Sequence, residues 1–597
     1  MPSYLKTTMN NRLIRNTYYA QVRAYVAASL TSVLGTLIDG VIIGQFLGVD
    51  AVSAFGIASP LMVIVALAGS IISVGARSRY VWLMASGKVR EAQGVFSLAC
   101  FLAVMFAMGM MVLTLAFVTP LTRLLGATGQ AAHLLPKARA YIIGIMVSLP
   151  VRNLSWILWI FMPVDNDNGL LVIASTATAV INVILDLIVV LVIHGDTLEM
   201  GLATSLGYLF TLLILLLHFR KENALLRFSF RNISWRETGS IMWQGLPAGL
   251  YRIGNTVRGA FQNHSLAMIA SSAAIAAYSV HRQLDSILSI LPLGMADTVA
   301  VLAGLLLSEE DRPGLKRMFD LSLRSVLIVT AGVSFVSWLL APYFSMLFIR
   351  DDAEALRLAI RAVRCYAVGL PLYGLNVMYM NYLMGIGKEH FSSQASIAAN
   401  ILLPILSAWA MLSRFGEDAV WLSFPVTQVL MLILLSATII IMRKREGMRG
   451  SLLQSFLVLS DDQEVPAEDR MDCSITTMEE VTDLSRAVWS FCDAHGCDER
   501  RRYLLSLSVE EMAGNVIEHG FTKDSKSHSV DVRILKKGED YILRIRDDCP
   551  IFDPIKQMTL YSDSDPSHHM GLRMVIKTAK EVNYLCILKL NNLSVKI

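Results

Sequence analysis

The sequence predicts an all-α polytopic membrane protein of about twelve transmembrane helices, arranged as two six-helix lobes and followed by a small α/β sandwich. Three observations carry that prediction. The first is composition: of 597 residues 54% are hydrophobic and only 17% are charged, well below the charge of ordinary soluble domains. The second is a division of charge. Residues 1–450 hold 34 Lys+Arg against 23 Asp+Glu, while residues 451–597 hold 18 against 25, so a basic apolar body is joined to an acidic polar tail. The third is an internal repeat whose copies lie about 220 residues apart.

Long apolar runs such as "SLGYLFTLLILLLHF", "SVLIVTAGVSFVSWLLAPYF" and "TQVLMLILLSATIIIM" recur between residues 17 and 443. At spanning length in lipid only a helix satisfies its own backbone, so each run is expected to be helical. The repeat aligns Ala51 to Ile57 with Ala274 to Val280, "LPVRN" with "LPLYG", and Asn182 and Leu185 with Asn400 and Leu403. It divides the body into lobes at 1–225 and 226–446, with a substrate path expected between them. Basic residues gather in alternate loops, at Lys88 and Arg90, Arg220 and Lys221, Arg312 to Arg317 and Arg443 to Arg445. That pattern puts both termini in the cytoplasm of a cell-membrane protein. The seven cysteines have no paired spacing and read as reduced thiols.

Within the spans the ionisable residues stand out. Asp39 lies in "SVLGTLIDGVIIGQFLG" and Asp186 in "AVINVILDLIVVL". Intramembrane carboxylates are costly, and they mark ion or substrate pathways. Asn182 and Asp186 are four residues apart on one helix face. Together with Asp39 they can hold a proton or a small hard cation, H+ or Na+, through oxygen ligands. The stretch 247–300 also carries Arg252, Arg258, Arg282, Asp285 and Asp297. These read either as buried ion pairs or as a cavity lining suited to an anionic or zwitterionic cargo. Asn153, Arg252, Asn255, Arg258 and Asp285 are the candidate cavity residues.

Residues 15–445 resemble the MATE family of multidrug and toxic-compound exporters. The resemblance rests on "IDGVIIGQFLGVDAVSAFGIASP", "LLGATGQAAHLLPKARAYI", "INVILD" followed by "MGLATSLGYL", and "GLPAGL". It implies two six-helix lobes that face inward and outward alternately, exporting substrate against Na+ or H+ inflow. It also implies that Asp39, Asn182 and Asp186 form the cation site. One departure is that the first span has no proline in its lipid-facing stretch.

Residues 447–470, with "SDDQEVPAEDR", read as a polar linker. Residues 471–597 read as helices and then strands. "LLSLSVEEMAGNVIEHGF" is an expected amphipathic helix with Glu511 and Asn515 on one face. "SVDVRILKKGEDYILRIRDD" forms an expected hairpin about "KKGED", "MGLRMVIKTAKEV" is another helix, and "YLCILKL" and "LSVKI" are closing strands. Three patches follow in order: Glu511 and Asn515 with His519 and Gly520; "RDDCPIFDP"; and "HMGLRMV". This order resembles the GHKL ATPase fold, in particular the serine kinases that act as anti-sigma factors. The resemblance implies ATP and Mg2+ as cofactors. Asn515 would ligate Mg2+, Glu511 would serve as general base, and Asp547 would accept from the adenine amino group. His519, Gly520, Asp548, Cys549 and Leu572 would line the site, and Gly571 would open a helix toward phosphate. Cys549 stands where the family usually has glycine, and "SDSDPSHH" lacks the glycines that often precede that helix. His568 and His569 read as surface residues of a lid.

The favoured function is a cation-coupled antiporter exporting small organic molecules, with a cytosolic ATP-binding regulatory or serine-kinase-like domain. Two alternatives remain: a membrane-anchored signalling kinase acting on an anti-sigma-antagonist-like partner, and a lipid-linked substrate flippase. The lipid bilayer and a small-molecule substrate are the expected partners, and no nucleic acid is expected. No "G-x-x-x-x-G-K-[ST]" motif is present, which argues against P-loop-driven pumping.

Overall fold

The protein is seen here in a computed structural model that describes residues 12–125, 127–221, 224–269, 272–349, 352–446, 456–458, 465–523, 528–550, 553–554 and 570–597. The body is helical throughout. Its first half contains α1 (Arg12–Ile42), α2 (Gly48–Ala85), α3 (Val89–Ala116), α4 (Leu135–Met146), α5 (Leu149–Phe161), α6 (Asn168–Ile188) and α7 (Thr197–Leu216). The second half contains α8 (Glu237–Ile269), α9 (Ser272–Leu288), α10 (Ile290–Ser308), α11 (Arg312–Leu339), α12 (Ala353–Gly385), α13 (Glu389–Ile397), α14 (Leu403–Phe415) and α15 (Asp418–Glu446).

Among the described residues nine helices are long and apolar enough to cross a membrane, or ten if α4 and α5, bent by 52°, form one span. Two more helices reach spanning length, α1 with 31 residues and α8 with 33. With α4 and α5 taken as one span, these two bring the total to the expected twelve, and both contribute residues to an interior cavity. There they carry Asp39 and Arg252.

Glycine sets the closest helix crossing. A Cβ at Gly75 of α2 would run into the Ile241 carbonyl and stand 2.7 Å from the Gly245 amide nitrogen of α8. A Cβ at Gly245 would in turn collide with the backbone of Ile71. Only residues without a Cβ let these two backbones meet. Beside the crossing two ion pairs join the halves. Arg77 forms a two-pronged bond to Asp297 at 2.6 and 2.7 Å, and Arg79 does the same with Glu237 at 2.7 and 3.0 Å.

The tail is a five-stranded antiparallel sheet in the order β1-β2-β3-β5-β4, made of β1 (Arg470–Ile475), β2 (Val530–Lys537), β3 (Asp540–Asp547), β4 (Glu581–Ile587) and β5 (Leu590–Lys596). Helices α16 (Met478–Ala494), α17 (Glu499–Ser508) and α18 (Met570–Thr578) supply the rest of its core. The hairpin about "KKGED" forms as its sequence suggests, with Gly538 at φ +58 in the turn. The strand β1 escapes a helices-then-strands reading. Its run "RMDCSI" alternates in burial, but it is short and pairs only with β2, far along the chain.

The sheet does not stand apart from the body. Arg533 and Arg546 reach from it to Asp311, which is 1% exposed, at 2.6 and 2.9 Å. Arg546 also pairs with Glu309, and Lys537 with Glu310. Those three acids lie between α10 and α11, in the second half of the body. On the first-half side, Asn166 donates to the Cys586 carbonyl at 2.9 Å and accepts from the Lys589 amide. Asn166, Leu588 and Lys589 all take positive φ, so three left-handed residues meet at one contact. The linker contributes as well, since Tyr379 and Tyr382 of α12 donate to the carbonyls of Phe456 and Leu457 at 3.0 and 2.8 Å.

Candidate functional site

Asp39 of α1 and Asp186 of α6 come together. They are 6% and 0% exposed, and their carboxyl groups hydrogen-bond to each other. Asn182 donates its amide to Asp186 Oδ2 at 3.2 Å. One oxygen of each acid, Asp39 Oδ1 and Asp186 Oδ1, has no partner. A buried carboxyl pair in contact holds a proton or a cation between its oxygens, because two bare charges at that range repel. The two orphaned oxygens and the Asn182 amide oxygen are a donor set fitted to either.

Asp39 and Asn182 open into a central cavity of about 610 Å³ that also touches Arg77, Arg152, Arg252 and Asp297. Of the five candidate cavity residues, Arg252 is the one that lines it. Arg258 and Asp285 pair with each other at 3.3 Å instead, and Asn153 is buried with its amide 3.5 Å from the Ala103 carbonyl. Asn255, half-buried on α8, is not part of the lining. Arg152 was not singled out in the sequence. Its signal was present, an arginine in "LPVRN" within an otherwise apolar helix.

In the tail, Asn515, His519, Gly520, Asp547, Cys549 and Leu572 border one small pocket of about 40 Å³. The expected regular helix under them is modified: α17 continues into two π-helical turns, Val509–Ala513 and Val516–Gly520. Such widened turns re-aim side chains. Asn515 borders the pocket, whereas Glu511 packs against Gly571 of α18, leaving no room there for a Cβ. Asp548 turns away and bonds His528 Nδ1 at 2.9 Å. His568 and His569, with the rest of 555–569, lie outside the described residues.

Asp547 ends β3 and is 4% exposed. Burial pushes its carboxyl up to about 6, although Asn591 and the Cys549 amide donate to Oδ1 at 2.7 and 2.9 Å and act the other way. Asn591 was missed in the sequence reading. It sits opposite Asp547 in the β3–β5 register, a pairing no local pattern encodes. The donor set fits a purine with a polyphosphate. A carboxylate can accept from an exocyclic amine, an amide oxygen can meet a divalent cation, and Lys523 borders the same pocket.

A two-part helical membrane body with an acid pair on its central cavity, joined to an ATPase-like α/β tail, defines a multi-pass transporter carrying an accessory domain. Residues 25–188 and 247–410 each match the MatE family, and the chain belongs to it. Residues 476–586 match the histidine kinase-like ATPase domain. The multidrug export protein MepA of Staphylococcus haemolyticus is 22% identical over 406 residues, covering 67% of this chain and 87% of its own. MepA of Staphylococcus aureus N315 is 22% identical over 438 residues, covering 71% and 94%. Among solved structures, an outward-facing MATE multidrug resistance transporter of the MOP superfamily superposes with TM-score 0.66 at 19% identity, covering 72% of this chain and 96% of that one. A Pyrococcus furiosus MOP superfamily transporter, described as having a binding pocket of reverse polarity, gives 0.66 at 18% identity with the same coverage.

Proposed function

We propose that this protein is an exporter of small organic molecules driven by Na+ or H+ inflow, with a cytosolic tail that binds ATP and Mg2+ and regulates export in cis. The observation that carries the coupling is the contact of Asp39, Asn182 and Asp186 at the edge of the central cavity. Cation or proton occupancy of that pair changes the charge on the cavity wall, so it biases which way the lobes face. The export activity of the MepA relatives supports the cargo side of this reading.

In the tail, Asn515 would hold Mg2+ and Asp547 the adenine amino group, while Glu511 is the one candidate base. Bound ATP supplies a transferable phosphoryl group. The route to the transporter is the docked sheet. Arg546 and Asp547 are adjacent on β3, so one residue grips Glu309 and Asp311 while the next reaches the nucleotide pocket. Its contacts with both halves of the body make the tail a clamp across their seam.

The test is efflux from proteoliposomes with an imposed Na+ or H+ gradient. Asp39→Asn with Asp186→Asn is expected to abolish gradient-driven efflux, and efflux that survives the pair defeats the coupling. Calorimetry with ATP and Mg2+ tests the tail separately, with Asp547→Ala expected to remove binding.

A further inference from the structure

Resting on the transporter reading, we propose that the cargo is an amphipathic organic anion, a flat apolar body bearing a carboxylate or phosphate. The charges facing the central cavity, among the described residues, are Asp39, Arg77, Arg152, Arg252 and Asp297. Two of them are already spent on each other, since Asp297 is held by both prongs of Arg77. Asp39 shares its hydrogen bond with Asp186. That leaves Arg152 and Arg252, neither within 4.0 Å of a described carboxylate.

Their partners are weak ones for guanidinium groups. Arg152 points one nitrogen at the Met62 sulfur at 3.2 Å and lies over the Tyr208 ring at 5.3 Å. Arg252 donates to the Ser70 hydroxyl and lies over Trp156 at 5.6 Å. A guanidinium stays charged in a protein, and its planar fork matches carboxylate or phosphate oxygens. Inside a membrane body such a charge is retained where it faces a cavity and meets a counter-charge. The geometry offers two forks and no resident anion.

The same wall provides an apolar seat. Trp156 and Trp159 stack at 5.4 Å with planes 7° apart, and Tyr25 meets Trp159 edge-on at 5.8 Å. Arg152, Trp156 and Trp159 follow at i, i+4 and i+7 on α5, so fork and rings share one helix face. A flat body against these rings brings its anionic end to the arginines, and the volume suits a drug-sized molecule. A cation in the same seat would face two like charges.

Equilibrium binding to the purified full-length chain tests this with two flat probes, carboxyfluorescein as the anion and ethidium as the cation, read by fluorescence anisotropy. Carboxyfluorescein is expected to bind the tighter. Arg152→Gln and Arg252→Gln should each weaken it about tenfold or more, the scale of a lost hydrogen bond to a charged group. Arg252→Lys, which keeps the charge, should recover part of the loss, and matched melting curves show that each variant is folded. A fluorescent short-chain phosphatidic acid distinguishes the source of the anion. Arginine-dependent binding of that lipid alone assigns the site to a lipid phosphate, and binding of carboxyfluorescein assigns it to a soluble anion. Tighter binding of ethidium, or anion binding indifferent to both Gln variants, overturns the proposal. No gradient is involved, so failure of the Asp39/Asp186 coupling reads out separately in the efflux assay.

Discussion

Asp547 shows how one residue's surroundings set a measurable pH window. Its carboxyl is pushed up to about 6, above the usual carboxylate range, because burial outweighs the donors from Asn591 and Cys549. A raised carboxyl contributes stability below the unfolded value and loses that contribution as pH rises through about 6. Only the ionised form accepts from an amine with both oxygens. Nucleotide affinity of the full chain should therefore climb as pH rises from 5 to 7, about tenfold per unit below the titration point. Titration calorimetry at fixed Mg2+ checks this, and a flat profile would mean Asp547 does not read the base. Asp311 is the opposite case. Burial raises its carboxyl, but Arg533 and Arg546 outweigh that and hold it well below the usual range. Its contribution is present above the unfolded value near 4 and is lost below it. That Asp39 and Asp186 lie inside spans, and that Asp547 follows Asn515 in the order of the tail's patches, was legible in sequence, because an ionised group in an apolar run, or a motif in fixed order, is a local signal. Arg152 and Asn591 were less so, since their importance depends on what stands opposite.

At the scale of elements, the α2–α8 crossing should be the least tolerant packing in the body. Gly245→Leu places a branched side chain against the Ile71 backbone, and overpacking of that kind costs about 1–3 kcal/mol. The expected outcome is a lowered melting temperature for the purified protein. Removing the ion pairs beside the crossing is a gentler change. Asp297→Asn leaves Arg77 without its charge partner, and the cavity should then open more readily toward the tail-bearing end. Faster maleimide labelling of a cysteine placed at Ser70 measures that opening. Span positions were readable from apolar runs. That α8 is a span was less readable, since hydropathy records what faces lipid and this helix carries Arg252, Asn255, Arg258 and Gln262. The π-helical turns under Glu511 and Asn515 were invisible too, because side-chain spacing assumes the regular turn that they break.

For the whole molecule, the decisive contact is the clamp of tail on body. Asp311→Asn would leave Arg533 and Arg546 partly unpaired in a buried interface, and breaking such a pair costs about 3–5 kcal/mol. Undocking should appear as faster hydrogen exchange in residues 86–88, where Gly87 lies beside Asn583 of β4, and in 162–167 as well as at 309–311, because the sheet touches both halves. Exchange confined to 309–311 would show that the two sides of the dock are independent. If the clamp regulates export, ATP should alter efflux in the native chain and have no effect in Asp311→Asn.

The sequence by itself determined the membrane body, its duplication, the acidic tail and the order of the nucleotide patches, because each is written as composition, period or motif along the chain. Tertiary structure alone decided which arginines of the cavity stand apart from any described carboxylate, that Asn591 stands opposite Asp547, and that the sheet grips the body. Those outcomes depend on distances between residues as much as 423 positions apart. Burial and pairing energies are set by such distances, and no local pattern carries them.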